Sequence, residues 1–507
     1  MNTLIVLPIL IPLFSAILMF FTWNKIRAQR ALALISTTGV LIVSILLVFW
    51  VNEHELFSLA VGKWQSPFGI SLMVDRFSAV MILATAIVAL LIVIYSISML
   101  DINRESFGFH PMMQIMLLGV YGAFLTADLF NLYVWFEVML IASFVLMAFG
   151  GERPQMEGAV KYVTLNLLSS ALFLTALGIL YGKVGTLNMA DIALKLSEGK
   201  LPSGMASISA LLFLIGFGIK AGLFPLYFWL PASYHTPPIP VIALFAGILT
   251  KVGAYAIIRV FTLVFPFIQD ATYLHTVILI LAALTMLSGI LGAIVQFDVR
   301  RLLSFLIISH IGYIVMGLGL YTPFALGATV FYIVQNIFIK VDLFLIFGLV
   351  FLMKRTYDLN HMGGIYRNAP GLACLFLIPA LSLAGIPPFP GFFGKIALVQ
   401  AGFDVKQYAI IAISLLVSLL TIYSIGKIWA EAFWKNKPTL PDNPTKEPFP
   451  IFQPKTHLFF AYLPSLTLTT FIVLIIIFSE PCFAYAMKAG NQLMHPEVYI
   501  QTILQKQ

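Results

Sequence analysis

The chain contains 507 residues, of which 61% are hydrophobic and only 10% are charged. Soluble globular proteins carry about 25% charged residues, so this composition, spread over the whole length, indicates a polytopic membrane protein and excludes a soluble domain with one anchor. The net charge of +8 comes from basic residues scattered between apolar runs, which argues against nucleic-acid binding.

No residue pattern in the sequence indicates a cofactor or a metal. The two cysteines, Cys374 and Cys482, are far apart and belong to no CxxC or Cys/His cluster, which argues against iron–sulfur and zinc sites. GxGxxG and Walker motifs are absent, so no nucleotide or redox cofactor is expected. The N-terminal run MNTLIVLPILIPLF lacks a basic region and a small-residue cleavage site, and it predicts a first spanning helix.

Apolar runs of about 20 residues predict an all-α polytopic membrane protein with about 14 transmembrane helices in one membrane domain over 1–507. Spans 7 and 12 are interrupted by Pro and Gly, and we expect both to be broken. A Pro- and Lys-rich loop (435–456) precedes the last span, and a short tail of mixed polarity follows it. In chain order, the predicted spans lie near 3–22, 31–51, 73–99, 111–127, 129–149, 157–182, 205–232, 239–262, 272–296, 300–320, 323–353, 370–402, 407–434 and 457–479.

Lys and Arg in the connections indicate the orientation of the chain in the membrane. They are more numerous in the connections that face the cytoplasm when the N-terminus is placed outside, which is the bias of inner-membrane proteins. We therefore expect a multi-pass protein of the bacterial inner membrane with both termini outside.

Ionisable residues recur at a nearly constant distance along the chain, which predicts an internal repeat. The two predicted units contain five helices each, 111–262 (spans 4–8) and 272–434 (spans 9–13). Because the number of helices per unit is odd, the units have opposite orientations in the membrane, as in the inverted repeats of transporters. The matching pairs, 173 to 179 residues apart, are Glu137 with His310, Lys161 with Lys340, Lys220 with Lys395 and Lys251 with Lys427.

The stretch from Leu214 to Lys251 is the clearest indication of function. It is apolar enough to lie in a membrane, yet it contains Lys220 and Lys251, with five prolines between them. Each interior proline removes a backbone donor, and in lipid the freed groups must be satisfied by protein or water. Interrupted spans with ionisable residues are typical of ion pathways.

Glu137 lies in the otherwise apolar run DLFNLYVWFEVMLIASFVL, where an unpaired carboxylate is costly. It forms either a polar contact between helices or, as we favour, a pair with Lys220, which would titrate as a unit. Lys220 is flanked by apolar sequence on both sides, which argues against a side chain that extends to the interface. Lys251, Tyr255 and Arg259 follow one another at i, i+4 and i+8, and we interpret Lys251 as a proton relay and Arg259 as interfacial.

Span 10 contains His310, which is either structural or a proton carrier, and its match with Glu137 favours the carrier. In span 11, Tyr332, Asn336 and Lys340 are spaced at i, i+4 and i+8 and form a polar stripe. Asp342 points to another face, toward either a neighbouring subunit or a local partner.

Three further positions stand near the breaks or the helix ends. His235, in the span 7 break, either connects the two halves of the protein or caps broken backbone. Lys395 ends the second break and, as the repeat partner of Lys220, is the predicted terminal site of the path. Asp75 and Arg76 begin span 3 and are expected at the membrane interface.

Four segments resemble the signatures of the proton-conducting antiporter family, which includes the large membrane subunits of complex I and the Mrp-type cation/proton antiporters. The resemblance covers about 110–430, and its finer features are most similar to the Mrp type. It implies an essential Glu–Lys pair at Glu137 and Lys220, a central lysine at Lys251, and the later histidine and lysine at His310 and Lys395. The segments are DLFNLYVWFE, KAGLFPLYFWLPASYHTPPIPVIALFAGILTKVGAY, DVRRLLSFLIISHIGY and GIPPFPGFFGK.

Two positions in span 11 depart from the family pattern. Asn336 stands where many members have a histidine, and Asp342 stands where a neutral residue is common. Because a neutral amide has no titratable site at ordinary pH, the proton route of other members does not transfer directly to this helix.

The resemblance implies a subunit of a multi-subunit monovalent cation (Na+)/H+ antiporter, which lies in the bilayer with its partner subunits. The alternative is a proton-pumping membrane subunit of a complex I-like NADH:quinone oxidoreductase or of a membrane-bound hydrogenase. A third hypothesis, a scaffold for partner subunits, conflicts with the number of intramembrane lysines. The predicted proton pathway, bridged by waters, consists of Glu137, Lys220, Lys251, His310, Lys340 and Lys395.

Overall fold

The computed structural model describes residues 3–200, 202–267, 271–436 and 456–504. Within these ranges, eleven helices are long and apolar enough to cross a membrane, and three shorter apolar helices correspond to the remaining predicted spans. The all-α polytopic fold is therefore confirmed. The predicted Pro- and Lys-rich loop lies mostly outside the described residues, since 437–455 are not among them.

The first half of the chain combines twelve α-helices with a short antiparallel hairpin that the sequence analysis did not predict. The hairpin strands are β1 (Phe57–Ala60) and β2 (Ser71–Val74), which pair in the register of Phe57 opposite Val74. The helices are α1 (Leu7–Phe21), α2 (Ile26–His54), α3 (Arg76–Met99), α4 (Ile102–Ser106), α5 (Phe109–Leu125), α6 (Leu129–Met147), α7 (Arg153–Val184), α8 (Met189–Ser197), α9 (Ser203–Ala221), α10 (Trp229–Ser233), α11 (Ile239–Leu244) and α12 (Thr250–Leu263).

The second half is helical in all the elements that the structure describes. The chain also has two π-helical segments: Phe245–Leu249, which joins α11 to α12 in the first half, and Trp429–Trp434, which directly follows the helix Tyr408–Ile428 in the second. The helices are α13 (Ala271–Val295), α14 (Val299–Leu320), α15 (Pro323–Lys354), α16 (Ile365–Asn368), α17 (Pro370–Ala384), α18 (Pro390–Asp404), α19 (Tyr408–Ile428), α20 (Thr456–Ile477), α21 (Ser479–Met494) and α22 (Pro496–Leu504).

Three spans form the centre of the protein: the one that combines α11 with α12, then α14, and then α15. Their apolar segments are 100%, 94% and 89% buried, whereas those of α13 and α20 are only 44% and 33% buried. A helix that is apolar on all sides can be buried on all sides by neighbouring helices, and one that faces lipid keeps an exposed apolar face. The central position of these three spans matters because they carry Lys251, His310 and Lys340.

The two halves repeat the same local structures. Asp128 caps α6 by accepting a hydrogen bond from the Asn131 backbone, and Asp298 caps α14 in the same way through the Arg300 backbone, each at 2.8 Å. Each aspartate also forms an isolated β-bridge with a residue 60 positions later, Asn188 in the first half and Asp358 in the second. These capped turns start α6 and α14 because an Asp side chain satisfies free N–H groups at a helix start.

Both predicted breaks are present. The helix α9 ends at Gly222 and α17 ends at Gly385, with φ angles of +86° and +81°. A left-handed residue ends a helix, and glycine adopts that conformation without strain. Spans 7 and 12 therefore each consist of two helical pieces, α9 with α10 and α17 with α18.

The tail of mixed polarity after the last span is helical over the residues that the structure describes. It forms α21 and α22, and α21 lies against α15 with Gly490 so close to Gly327 that a Cβ at Gly490 would lie 2.3 Å from the Gly327 nitrogen. The Tyr485 hydroxyl donates to the Arg76 carbonyl over 3.1 Å. The tail thus covers the N-terminal end of α3.

Candidate functional site

Glu137 and Lys220 approach each other from α6 and the last turn of α9. The Glu137 carboxylate is half-buried, and its Oε1 atom has no hydrogen-bonding partner among the described residues. The Lys220 amine donates to the Ser170 hydroxyl of α7 over 3.3 Å and lies 5.1 Å from the centre of the Phe136 ring. Glu137 and Lys220 interact electrostatically without a direct hydrogen bond, so their functional pairing stays a prediction.

A close crossing of two helices places Lys251 near Lys220. At Gly253, a Cβ atom would lie 2.7 Å from the Ala221 nitrogen and 3.0 Å from the Lys220 carbonyl carbon. Only glycine permits this approach without displacement of the backbone. Hence α12, which carries Lys251, touches the end of α9 immediately after Lys220.

Lys251 is fully buried, and a π-helical turn provides its partner. Its amine donates to the Ala246 carbonyl over 2.7 Å, and Ala246 belongs to the π segment Phe245–Leu249. A π turn shifts the backbone ladder by one residue and is often found at functional sites. Sequence periodicity did not reveal this segment, because its residues are as apolar as those of the helices on either side.

Lys340 is fully buried on α15, and its amine has no hydrogen-bonding partner among the residues that the structure describes. The side-chain carbonyl of Asn336, one turn earlier, also lacks one within that part of the chain. Lys340 interacts electrostatically with Lys251 and with Lys395. An amine that is buried without a partner is destabilising, and such residues occur mainly where function needs them.

His310 on α14 connects the lysines with a tyrosine. Its Nδ1 atom is hydrogen-bonded to the Tyr332 hydroxyl, and its Nε2 atom has no partner in the described ranges. His310 interacts electrostatically with Lys251, Lys340 and Lys395. The structure therefore brings these four predicted residues together in the protein interior.

Lys395 lies after the second break and reaches back across it. Its amine donates to the carbonyls of Leu383 and Ala384, each over 3.1 Å, at the C-terminal end of α17. It also lies 5.3 Å from the centre of the Tyr313 ring. Lys220, by contrast, belongs to the half-helix before its own break, so the two lysines approach their breaks from opposite sides.

The row of polar side chains on α12, formed by Lys251, Tyr255 and Arg259, ends in a buried ion pair. Arg259 contacts both oxygens of Asp75, at 2.6 and 2.7 Å, and the Tyr255 hydroxyl donates to the Phe124 carbonyl over 2.9 Å. Arg259, Asp75 and Arg76, which are predicted at the membrane interface, are buried within the protein, with exposures of 5%, 1% and 7%. The reason is that the C-terminal helices cover this end of the protein.

His235 fulfils both of the roles that the sequence analysis left open. Arg301 of α14 donates to its Nε2 atom over 2.9 Å, so the proton on Nδ1 is donated to the Pro231 carbonyl, also over 2.9 Å. The ring therefore connects the two halves and caps broken backbone. Burial, together with the charges of Arg301 and Arg300, lowers the pKa of His235 to about 4.

Asp342 pairs locally with α20. Its Oδ1 atom accepts a hydrogen bond from Ser465 over 2.6 Å, and its Oδ2 atom accepts one from Thr469 over 2.7 Å. Of the two alternatives for this residue, a neighbouring subunit or a local partner, the structure supplies the local partner.

One buried ionic cluster was missed by the sequence analysis. Glu105 is fully buried and accepts hydrogen bonds from Arg30 and from His110, each over 2.7 Å. Burial by itself raises the pKa of Glu105, but the bonds from Arg30 and His110 outweigh burial and lower it. Nothing in the local sequence identified the cluster, because Arg30 and Glu105 are 75 residues apart.

Among the described residues, no group of three or more His, Cys, Asp or Glu side chains is placed to hold a metal ion. The chemistry that the buried residues offer is proton exchange, since Lys, His, Tyr and Glu all take up and release protons.

Comparisons with known proteins place this arrangement in context. Residues 126–421 match the family described as NADH:quinone oxidoreductase/Mrp antiporter, TM. The chain is 42% identical over 506 residues to the D subunit of the Na(+)/H(+) antiporter of Alkalihalophilus pseudofirmus and 38% identical over 509 residues to that of Bacillus subtilis, with 100% of each chain covered.

Two solved structures share the fold. A chain in the Mrp complex from Dietzia sp. DQ12-45-1b superposes with a TM-score of 0.90 at 26% identity, over 99% of this chain and 100% of that one. A chain in the membrane-bound sulfane sulfur reductase, an archaeal respiratory membrane complex, superposes with a TM-score of 0.89 at 23% identity and equal coverage.

Proposed function

The chain belongs to the NADH:quinone oxidoreductase/Mrp antiporter family, and we propose that it is the D-type subunit of a multi-subunit Na+/H+ antiporter in which it conducts protons. The observation that carries the proposal is the buried group of Lys251, His310, Lys340 and Lys395, to which Lys220 is connected through the contact of α9 with α12. Buried ionisable side chains are costly in a membrane protein, and a file of them is typical of a proton relay.

The pair of Glu137 and Lys220 acts as the entry control of the pathway. Glu137 stabilises the charged form of Lys220 by electrostatic attraction, and a proton that neutralises Glu137 removes this attraction. Lys220 then releases its proton toward Lys251, whose helix is in contact with the end of α9. Waters bridge the gaps that are too long for direct transfer.

Beyond Lys251, the proton moves through His310 and Lys340 to Lys395. Like charges in an apolar interior repel each other strongly, so a proton that arrives at one of these groups favours release from the next. The transfer is therefore stepwise, and Lys395 is the terminal site. Proton flow along this route drives the export of sodium or another monovalent cation by the complex.

The setting of the chain follows from the same reasoning. We place it in the bacterial inner membrane with both termini outside, on the basis of its Lys and Arg distribution. Segments 111–262 and 272–434 act as two inverted units, which agrees with the repeated Asp caps and the repeated Gly breaks. Full-length similarity to the D subunits of antiporters favours the antiporter over a respiratory complex, for which the likeness extends to the fold alone.

Substitution of the entry pair tests the proposal. In everted membrane vesicles with an imposed proton gradient, added Na+ should dissipate the gradient for the wild-type complex. Lys220→Ala and Glu137→Ala should each abolish this response. Lys161→Ala is the matched control, because this lysine is 50% exposed and its ion pair with Glu157 lies on the surface.

Assembly must be measured in the same membranes, by the elution of the purified complex as one peak with all its subunits. Activity at the wild-type level in Lys220→Ala, with assembly intact, would show that the proton does not pass this residue. A wild-type complex without Na+-driven proton movement would overturn the antiporter function itself.

A further inference from the structure

Asp342 is a carboxyl group within a membrane span whose hydrogen-bonding partners are two hydroxyl groups. It is fully buried on α15, two residues after Lys340, and it faces α20. Each of its carboxyl oxygens has one hydroxyl partner, Ser465 at 2.6 Å and Thr469 at 2.7 Å, and these two residues are one helical turn apart. The result is a compact set of four oxygen atoms.

The charge of this set is unbalanced when Asp342 is ionised. Within the described part of the chain, no Lys, Arg or His forms an ion pair with Asp342, and its only polar contacts are the two hydroxyls. A buried carboxylate without a compensating cation is strongly disfavoured. The carboxyl group must therefore carry a proton or hold a cation.

The oxygen set suits a small hard cation. Carboxylate and hydroxyl oxygens are ligands of the kind that alkali and other hard cations prefer, and no nitrogen or sulfur atom is part of the set.

The site borders a groove at the surface of α20. Thr469 lines a groove of about 700 Å³ between α17 and α20, together with Leu372, Leu375, Tyr462 and Leu466. The Thr469 side chain, which donates to Asp342 over 2.7 Å, therefore lies between this groove and the carboxyl group.

We propose that Asp342, Ser465 and Thr469 form a binding site for a dehydrated monovalent cation of the size of Na+ or Li+, which exchanges with the carboxyl proton. In the exchange, Na+ enters as the Asp342 O–H bond breaks, and the proton leaves as H+, so the site is neutral before and after. The inference rests on the proposed function, because it names a place where this chain itself handles the cation. It also puts the cation site and Lys340 on opposite faces of one helix, α15.

Asp342→Asn separates cation binding from structure. Asparagine has the same size and can still form hydrogen bonds with both hydroxyls, so the contact of α15 with α20 is kept, but the negative charge is lost. The matched control is Asp404→Asn, since Asp404 lies exposed at the end of α18.

Binding of 22Na+ to the purified whole complex measures the site directly. The wild-type complex and Asp404→Asn should bind Na+ at pH 8, with competition by protons as the pH falls to 6. Asp342→Asn should bind at least tenfold more weakly. Na+, but not choline, should raise the thermal midpoint of the wild-type complex and leave that of Asp342→Asn unchanged.

Antiport in vesicles keeps the two proposals apart. With assembly unchanged, Asp342→Asn should raise the Na+ concentration for half-maximal exchange about tenfold or more. If Asp342→Asn binds and exchanges Na+ as the wild type does, the cation site is overturned while the antiporter function stands. If the wild-type complex shows no Na+-driven proton movement, the proposed function fails first.

Discussion

Replacement of Lys340 by methionine should stabilise the protein and abolish proton transfer. The Lys340 amine is fully buried, and it has no hydrogen-bonding partner among the described residues. Methionine has a similar length and no polar atom, so it fills the same space without the desolvation cost. A buried unsatisfied polar group costs about 1–3 kcal/mol, and the variant should recover an amount of that order.

Lys251→Met provides the matched comparison. Lys251 is buried to the same extent, but its amine donates to the Ala246 carbonyl over 2.7 Å. A hydrogen bond to a charged group contributes about 1.5–3 kcal/mol, and Lys251→Met loses such a bond whereas Lys340→Met does not. Lys340→Met should therefore be more stable than Lys251→Met by an amount of that order. Both variants remove a protonatable site from the proposed pathway, and both should lose antiport.

The assay is thermal unfolding of the purified complex at one concentration and one scan rate, combined with antiport in vesicles. The expected order of midpoints places Lys340→Met above the wild type and above Lys251→Met. A midpoint of Lys340→Met below the wild type would show that the amine makes stabilising contacts and would refute the energetic argument. Full antiport in Lys340→Met would remove this residue from the pathway.

Three further predictions concern other described contacts. Arg259→Met should destabilise the protein by about 3–5 kcal/mol, because Asp75 is left buried without its counter-ion, and the double variant with Asp75→Asn should recover part of the loss in thermal unfolding. The pKa of Glu105 is lowered in the folded protein, so its ionised carboxylate stabilises the fold at any pH above the ordinary glutamate pKa of about 4.5. This stabilisation is lost as the pH falls through the lowered pKa of the folded protein. The difference in melting temperature between wild type and Glu105→Gln should therefore be largest at neutral pH and disappear in acid. Gly253→Ala should separate α12 from α9 and reduce antiport at least tenfold, whereas Gly178→Ala, where an added Cβ has no neighbour within 4 Å, should leave activity unchanged.

The features that sequence predicted well depend on local composition. Each span is recognisable because about 20 apolar residues are needed to cross the hydrocarbon layer. The breaks at Gly222 and Gly385 were predicted because Pro and Gly act on the backbone where they stand. The same local reasoning identified the buried lysines, since charge in an apolar run is visible without any knowledge of the fold.

The partners of those residues could not be predicted, because they come from distant parts of the chain. Asp75 and Arg259 are 184 residues apart, and Asp342 meets its hydroxyl partners 123 and 127 residues later. The constant spacing of the ionisable residues also did not show where the lysines lie relative to the breaks. Lys220 and Lys395 are 175 residues apart, whereas the breaks at Gly222 and Gly385 are 163 residues apart, so the two lysines do not occupy equivalent positions relative to their breaks.

The C-terminal ends of helices help the protein to hold amines in an apolar interior with few carboxylates. Lys220 lies in the last turn of α9, before its break, and Lys395 reaches back from α18 to two terminal carbonyls of α17. Lys427 does the same at the end of α13, where its amine donates to the carbonyls of Ile294 and Gln296, each over 2.9 Å.

The C-terminal end of a helix presents unpaired carbonyls and a partial negative charge, which stabilise a cation without a full counter-ion. A broken span creates such an end inside the membrane, and Lys395 reaches one across its break. A carboxylate in the same place would hold the proton-carrying amine as a tight ion pair. A helix end attracts the amine more weakly, so the lysine keeps the ability to release its proton to the next group.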